Sequence, residues 1–284
     1  MTRRVALLGR PLTRRHSQVM HDAAFDAAGI DARYVLMELE PDAVAPAVAD
    51  ARTSAVWLGL GVTAPYKRVV ANLVDEVEAD SAAIGAVNNV VRTDEGRLIG
   101  FNTDAPGFRA GVETALGRPL DGLVVAVAGA GGAAHAVVHA LLAAGVRSLT
   151  VGSRDPAAAR AIVRRFAASG PASAVALGAE GWADALRDAD LAVNATTVGM
   201  IDPGMTIAVE ALPDGATVFD LVYVPAETPL IRAARARGLR AANGSEMLIR
   251  QAAFAFERWT GIAGMVDVMR DAVGPLLADP TVRG

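Results

Sequence analysis

The stretch Leu123-Val124-Val125-Ala126-Val127-Ala128-Gly129-Ala130-Gly131-Gly132-Ala133-Ala134 begins as an apolar run and ends in a glycine cluster. An alanine-rich segment without proline, His135 to Ala144, follows, and Gly145 closes it. This pattern predicts a strand, a tight turn and a helix, with Gly145 as the left-handed residue just past the helix end. Such a turn brings the backbone close to a pyrophosphate, and the first N–H groups of the helix then face the anion. Gly129, Ala130, Gly131, Gly132 and Ala133 are therefore the first candidate cofactor contacts, although the same turn also suits plain packing of helix on strand.

Downstream, a strand at Ser148–Val151 ends in Gly152-Ser153-Arg154-Asp155-Pro156. A ribose-reading residue belongs about 20 positions beyond the glycine turn, where Arg154 falls, with Ser153 just before it. An arginine suits a 2′-phosphate, so NADP is expected. Asp155 leaves NAD open, and it also reads as the cap of a helix starting at Pro156. Strands at Ala174–Leu177, Leu191–Asn194, Thr217–Val222 and Leu239–Ala242 each follow a helix-compatible segment, the alternation of a doubly wound parallel sheet. Their ends carry Thr196, Val222 and Tyr223, where a nicotinamide or a substrate could rest.

Upstream, strands are expected at Val5–Leu8, Tyr34–Leu39 and Val56–Val62, with helices from about Gln18 to Ala28 and from Pro41 to Arg52. Ser17 reads equally as a helix cap or a ligand contact. Lys67 follows Val62-Thr63-Ala64-Pro65-Tyr66, just past a strand end, a place where α/β proteins put their sites as well as an ordinary surface position. Two short strands around Thr93-Asp94-Glu95-Gly96 predict a hairpin. It leads to Asn102-Thr103-Asp104, where Asp104 is a candidate cap or a functional carboxylate. Near the C-terminal end, Asn243-Gly244-Ser245-Glu246 precedes a helix over Met247–Trp259 that carries Gln251.

The 284 residues are 52% hydrophobic and 20% charged, with a net charge of -4. That is ample for a buried core and gives no sign of a nucleic-acid or acidic-membrane partner. Cysteine is absent, which excludes disulfides, zinc-thiolate sites and cysteine nucleophiles and fits a reducing cytoplasm. No metal site is expected. The first apolar run stops at Gly9-Arg10-Pro11, too short for a signal peptide, and no run reaches membrane-spanning length. The expected partner is a small-molecule substrate, and the expected state is monomer or homodimer.

Taken in order, these motifs resemble the shikimate dehydrogenase family, with its quinate and shikimate dehydrogenase-like branches. The resemblance rests on Val62-Thr63-x-Pro65-Tyr66-Lys67, Gly85-Ala86-Val87-Asn88, Asn102-Thr103-Asp104-x-x-Gly107 and the glycine turn. It continues through Asn194-Ala195-Thr196-x-x-Gly199-Met200, Asp220-x-x-Tyr223-x-Pro225-x-x-Thr228-Pro229-Leu230 and Met247-Leu248-x-x-Gln251-Ala252. It implies an α/β fold with a substrate domain over 1–106, a Rossmann-like NAD(P) domain over 107–242, and C-terminal helices over 243–284 returning to the first. It also implies hydride transfer between NADP and a secondary alcohol of a cyclic polyhydroxy carboxylate, in the shikimate pathway of aromatic amino acid biosynthesis. NAD with quinate or another small hydroxy acid is the alternative.

By the same resemblance Lys67 and Asp104 form the catalytic pair, and Thr63, Asn88, Asp104 and Gln251 hold substrate hydroxyls. Tyr223 and Gly244 line the substrate and nicotinamide region. The family's carboxylate site reads His-Ser-x-Ser-Pro-x-x-His. Here Ser17 and His21 match, Arg15 stands for the first serine and Gln18 for the proline. Arg15 suits a bidentate grip on a carboxylate, but the same side chain could fill the substrate's space or face solvent. Gly61 stands where the family has asparagine, so a polar support of the site is expected to be missing. At the cofactor, the second basic residue of the family's loop is Ala158 here, with Arg160 offset.

Overall fold

The structure is a computed structural model and describes residues 1–278. The last part of the expected C-terminal segment, residues 279–284, lies outside the described residues. The chain forms two compact units, Met1–Thr103 with the segment from Ile249, and Asp104–Leu248.

The first unit begins with β1 (Arg3–Gly9), α1 (His16–Ala27), β2 (Ala32–Glu38), α2 (Val44–Thr53) and β3 (Trp57–Val62). Then come the short α3 (Lys67–Ala71), β4 (Glu76–Val77), α4 (Ala79–Ile84) and the hairpin β5 (Asn89–Arg92) and β6 (Leu98–Phe101). The sheet order is β2-β1-β3-β5-β6-β4. The first three strands are parallel, and β5 runs antiparallel to both β3 and β6. Side chains alternate across a strand, so Ala6, Leu8, Leu60 and Val62 pack on Val44 and Val48 of α2.

The other face of this sheet is aromatic. His21, Phe25 and Tyr34 meet Phe256 and Trp259, with the His21 and Tyr34 rings stacked 4.6 Å apart. Two glycines of β3 make room there. A Cβ on Gly59 would collide with Val90 O and the Trp259 indole, and one on Gly61 would stand 2.5 Å from Tyr34 Oη. The Trp259 Nε1–H in turn donates to Val90 O at 2.9 Å.

The second unit contains α5 (Asp104–Leu116), β7 (Val124–Ala128), α6 (Gly132–Ala143), β8 (Ser148–Ser153), α7 (Pro156–Arg165), β9 (Ala172–Ala176) and α8 (Glu180–Arg187). It continues with β10 (Leu191–Asn194), β11 (Thr217–Asp220), α9 (Pro229–Ala236) and β12 (Arg240–Asn243). All its strands are parallel, in the order β12-β11-β10-β7-β8-β9. The chain moves outward on one side of β7 and then restarts on the other at β10. This is the doubly wound arrangement expected, with its switch point between β7 and β10. Phe108 of α5 meets Phe219 of β11 edge to face at 5.7 Å.

The last two helices are α10 (Ser245–Thr260) and α11 (Val266–Ala278). In the first unit α11 packs on α1. No helix among the described residues is long and apolar enough to cross a membrane.

Two local expectations need correction. The first helix starts at His16, because the Arg15 carbonyl already accepts the helical bond of Val19 N–H at 3.0 Å. Ser17 therefore lies inside the first turn and is not the cap; Arg15 holds that position and makes no side-chain capping bond. Asp104 is likewise a helical residue, the first of α5, so the reading as a flanking cap fails.

Candidate active site

A cleft of about 420 Å³ opens across the C-terminal ends of β8, β7, β10 and β11. The glycine turn forms its centre. Gly129 has φ +123°, and a Cβ there would stand 2.8 Å from Ala195 O, so the fold itself requires a glycine. Gly131 and Gly132 differ: a Cβ on either would meet nothing within 4 Å. Their open side faces the cleft above the first turn of α6, which leaves backbone amides for an anion to approach.

On the β8 side the lining is Ser153, Arg154, Ala158 and Leu177. Arg154 is exposed and is the one charged residue lining the cleft among the described residues. Ser153 Oγ accepts from Asp155 N–H at 3.1 Å, and Asp155 Oδ1 accepts from Ala157 N–H at 2.9 Å. Asp155 is thus the cap of α7. A glycine turn with open approach, a helix N-terminus and one guanidinium fit a dinucleotide carrying a 2′-phosphate.

On the β10 and β11 side the lining includes Thr196, Thr197, Val198, Thr206, Leu221 and Val222. A buried network, which the sequence did not disclose, stands behind these loops. Asp220 Oδ1 accepts from Asn194 Nδ2 at 2.8 Å and from Val222 N–H at 3.1 Å. Asp220 Oδ2 accepts from Thr228 Oγ1 at 2.6 Å. Asn194 Oδ1 accepts from the backbone N–H and the hydroxyl of Thr196, at 3.2 and 2.7 Å, and from Thr206 Oγ1 at 3.1 Å. Burial pushes the Asp220 carboxyl up from its ordinary pKa, against the pull of these donors. Gly244 follows β12 with its Cα against the Leu221 backbone, where no Cβ fits. Tyr223, next to Val222, is half-buried.

The first unit gathers a second set of polar groups. Thr63 N–H donates to Leu8 O at 2.9 Å, and Val62 N–H donates to Asn88 O at 2.7 Å. Lys67 opens α3, and its carbonyl accepts from Val87 N–H at 3.0 Å, one residue before Asn88. Thr63, Lys67 and Asn88 thus lie on adjoining segments past the end of β3. Thr103 joins Gln251 to them. Its Oγ1 accepts from Asn88 Nδ2 at 3.2 Å and Asn89 Nδ2 at 2.9 Å and donates to Gln251 Oε1 at 3.2 Å. Asn88 Oδ1 accepts from Thr103 N–H and from Asn89 Nδ2, both at 2.8 Å. Thr103 and Asn89 are residues the motif reading passed over, and Asp104 follows Thr103 in the chain.

At the start of α1, Arg15 is exposed and its Nε donates to Gln18 Oε1 at 2.9 Å; Gln18 Nε2 donates onward to Tyr34 O at 3.1 Å. Ser17 is half-buried two residues on. The space above Gly61, where a polar support was expected to be missing, holds the Tyr34 phenol.

Comparison with known proteins covers both units. Residues 7–90 match the shikimate dehydrogenase substrate binding domain, and residues 244–273 match the shikimate 5'-dehydrogenase C-terminal domain. The shikimate dehydrogenase (NADP(+)) of Sphingopyxis alaskensis is 40% identical over 256 residues, 90% of either chain. The shikimate 5-dehydrogenase of Thermus thermophilus, solved with NADP(H) and shikimate, is 36% identical with a TM-score of 0.83, covering 95% of this chain and 99% of that one. The quinate dehydrogenase of Corynebacterium glutamicum, solved with NAD, is 34% identical with a TM-score of 0.89, covering 96% and 99%. Identity of this extent over nearly the whole length, on the same two-unit fold, means that the chain belongs to the shikimate dehydrogenase family.

Proposed function

We propose that the protein interconverts shikimate and 3-dehydroshikimate with NADP(H). The observation that carries this reading is the Thr103-centred cluster of Asn88 and Gln251 beside Thr63 and Lys67, a set of donors suited to a polyhydroxylated ring. The glycine turn, Ser153 and Arg154 would hold the dinucleotide, with Thr196, Val222 and Gly244 at its other end. When bound there, a nicotinamide would supply the hydride acceptor for the carbinol carbon and the hydride donor for the ketone. Lys67 takes the hydroxyl proton in oxidation and gives a proton to the ketone oxygen in reduction, so hydride and proton together account for both hydrogens. Asp104 accepts a hydrogen bond from the reacting hydroxyl and orients Lys67. Thr63, Asn88 and Gln251 position the ring, and Ser17 with Arg15 grips the carboxylate. The cysteine-free composition supports a reducing, cytoplasmic setting.

A second reading, NAD with quinate or another small hydroxy acid, is favoured by Ala158, which lines the cleft beside Arg154 and gives a 2′-phosphate no second cation. Turnover read at the reduced-nicotinamide absorbance, with shikimate and quinate each paired with NADP and NAD, separates the two. Shikimate with NADP is expected to be the fastest pair; a large preference for quinate with NAD would install the second reading. Lys67→Ala and Asp104→Ala are each expected to lower kcat by about 10²–10⁴-fold with the fold intact by circular dichroism. Near-wild-type turnover in either variant removes the catalytic pair.

A further inference from the structure

We propose that Asp220 is a positioning residue for the nicotinamide half of the cleft: with Asn194 and Thr228 it ties the loops after β10 and β11 into one rigid wall. The inference rests on the dinucleotide assignment above and adds a division of labour within it.

Asp220 and Asn194 end neighbouring strands, paired in register, and both are buried. Between them they bond to Thr196, Val198, Thr206 and Val222, each of which lines the cleft. Thr228 completes the frame. Its Oγ1 donates to Asp220 Oδ2 and accepts from Ile231 N–H at 3.2 Å, so the cap of α9 and the cleft wall share one hydroxyl. A buried carboxylate with three donors fixes every group it touches, because losing any of them leaves a desolvated polar atom.

These bonds run to residues 194–231, all on the β10 and β11 side of the switch point. Ser153, Arg154, Ala158 and Leu177 lie on the β8 side. Arg154 marks that side as the adenosine 2′-phosphate end, so the Asp220 wall faces the nicotinamide end. A defect at Asp220 should therefore damage one half of the dinucleotide site and spare the other. General loosening of the fold would damage both.

The test measures binding of NADPH and of adenosine 2′,5′-bisphosphate by calorimetry, with kcat and KM alongside. Asp220→Ala is expected to weaken NADPH about tenfold while the bisphosphate stays within about twofold. Asp220→Asn keeps an oxygen for Val222 and Asn194 and is expected to restore NADPH binding to within about threefold of the wild type. Should Asp220→Ala not fold, Thr228→Val carries the same comparison, since it retains the carboxylate and its other two donors. Parallel loss of both ligands, or NADPH binding unchanged in these variants, overturns the proposal. A wild-type protein that binds neither ligand would instead strike at the dinucleotide assignment.

Discussion

Thr103 shows how one hydroxyl orders the amides around it. Asn88 Oδ1 is engaged twice, by Thr103 N–H and by Asn89, and Gln251 Oε1 is turned toward Thr103. Thr103 thereby fixes both amides: the Gln251 carbonyl oxygen faces its hydroxyl as an acceptor, and the Asn88 NH2 group faces it as a donor. Thr103→Val keeps the shape and removes the hub. The expected result is a rise of about tenfold in KM for the hydroxy acid, with KM for the dinucleotide unchanged and recovery in Thr103→Ser. Equal changes in both KM values would mean a general loss of structure. The motifs pointed to Lys67, Asn88 and Gln251 because a lysine past a strand end is visible as a residue type and the two amides fall in the motifs of the family resemblance. Thr103 sat between two residues of a quoted motif and went unnoticed, since spacing along the chain does not reveal which hydroxyl three amides will share.

At the scale of elements, α7 illustrates a cap placed next to Arg154, which lines the cleft. Asp155→Ala removes the bond to Ala157 N–H and should lower stability by about 1 kcal/mol, seen as a lower Tm. It also removes a negative charge beside Arg154, so the ratio of kcat/KM for NADP over NAD should rise; a fall would show that Asp155 helps to hold the 2′-phosphate. The sequence announced this cap, as it announced the strand, turn and helix from β7 to α6, because Pro156 and the glycines leave few alternatives. It did not announce α3 and α4, which have 5 and 6 residues, too short for a helical period to register. It also misplaced the start of α1, where Ser17 offered a better capping side chain than the Arg15 that occupies the position.

Over the whole molecule, the alternation of strands and helices made the doubly wound unit legible, whereas the aromatic face of the first unit depends on contacts between distant segments. That face makes stability depend on pH. Burial of His21 brings its pKa down to about 3. The unfolded chain takes up this proton near pH 6.5 and the native chain does not, so stability falls as pH drops from 6.5 toward 3, by up to about 1.4 kcal/mol per pH unit. His16, also lowered chiefly by burial, acts in the same direction. Asp22 and Asp220, raised chiefly by burial, offset part of the loss once the pH passes below their native values. Tm should be lower at pH 5 than at pH 7, and His21→Leu should shrink that difference; an undiminished drop would remove His21 as its source. The interleaving of the units has a further result during synthesis. The Asp104–Leu248 unit is a continuous piece of chain, whereas Phe25 and Tyr34 leave the ribosome long before Phe256 and Trp259 arrive to cover them. The first part to be translated is thus the last to be finished, and the nascent chain carries a sticky, half-built sheet while the inserted unit folds ahead of it.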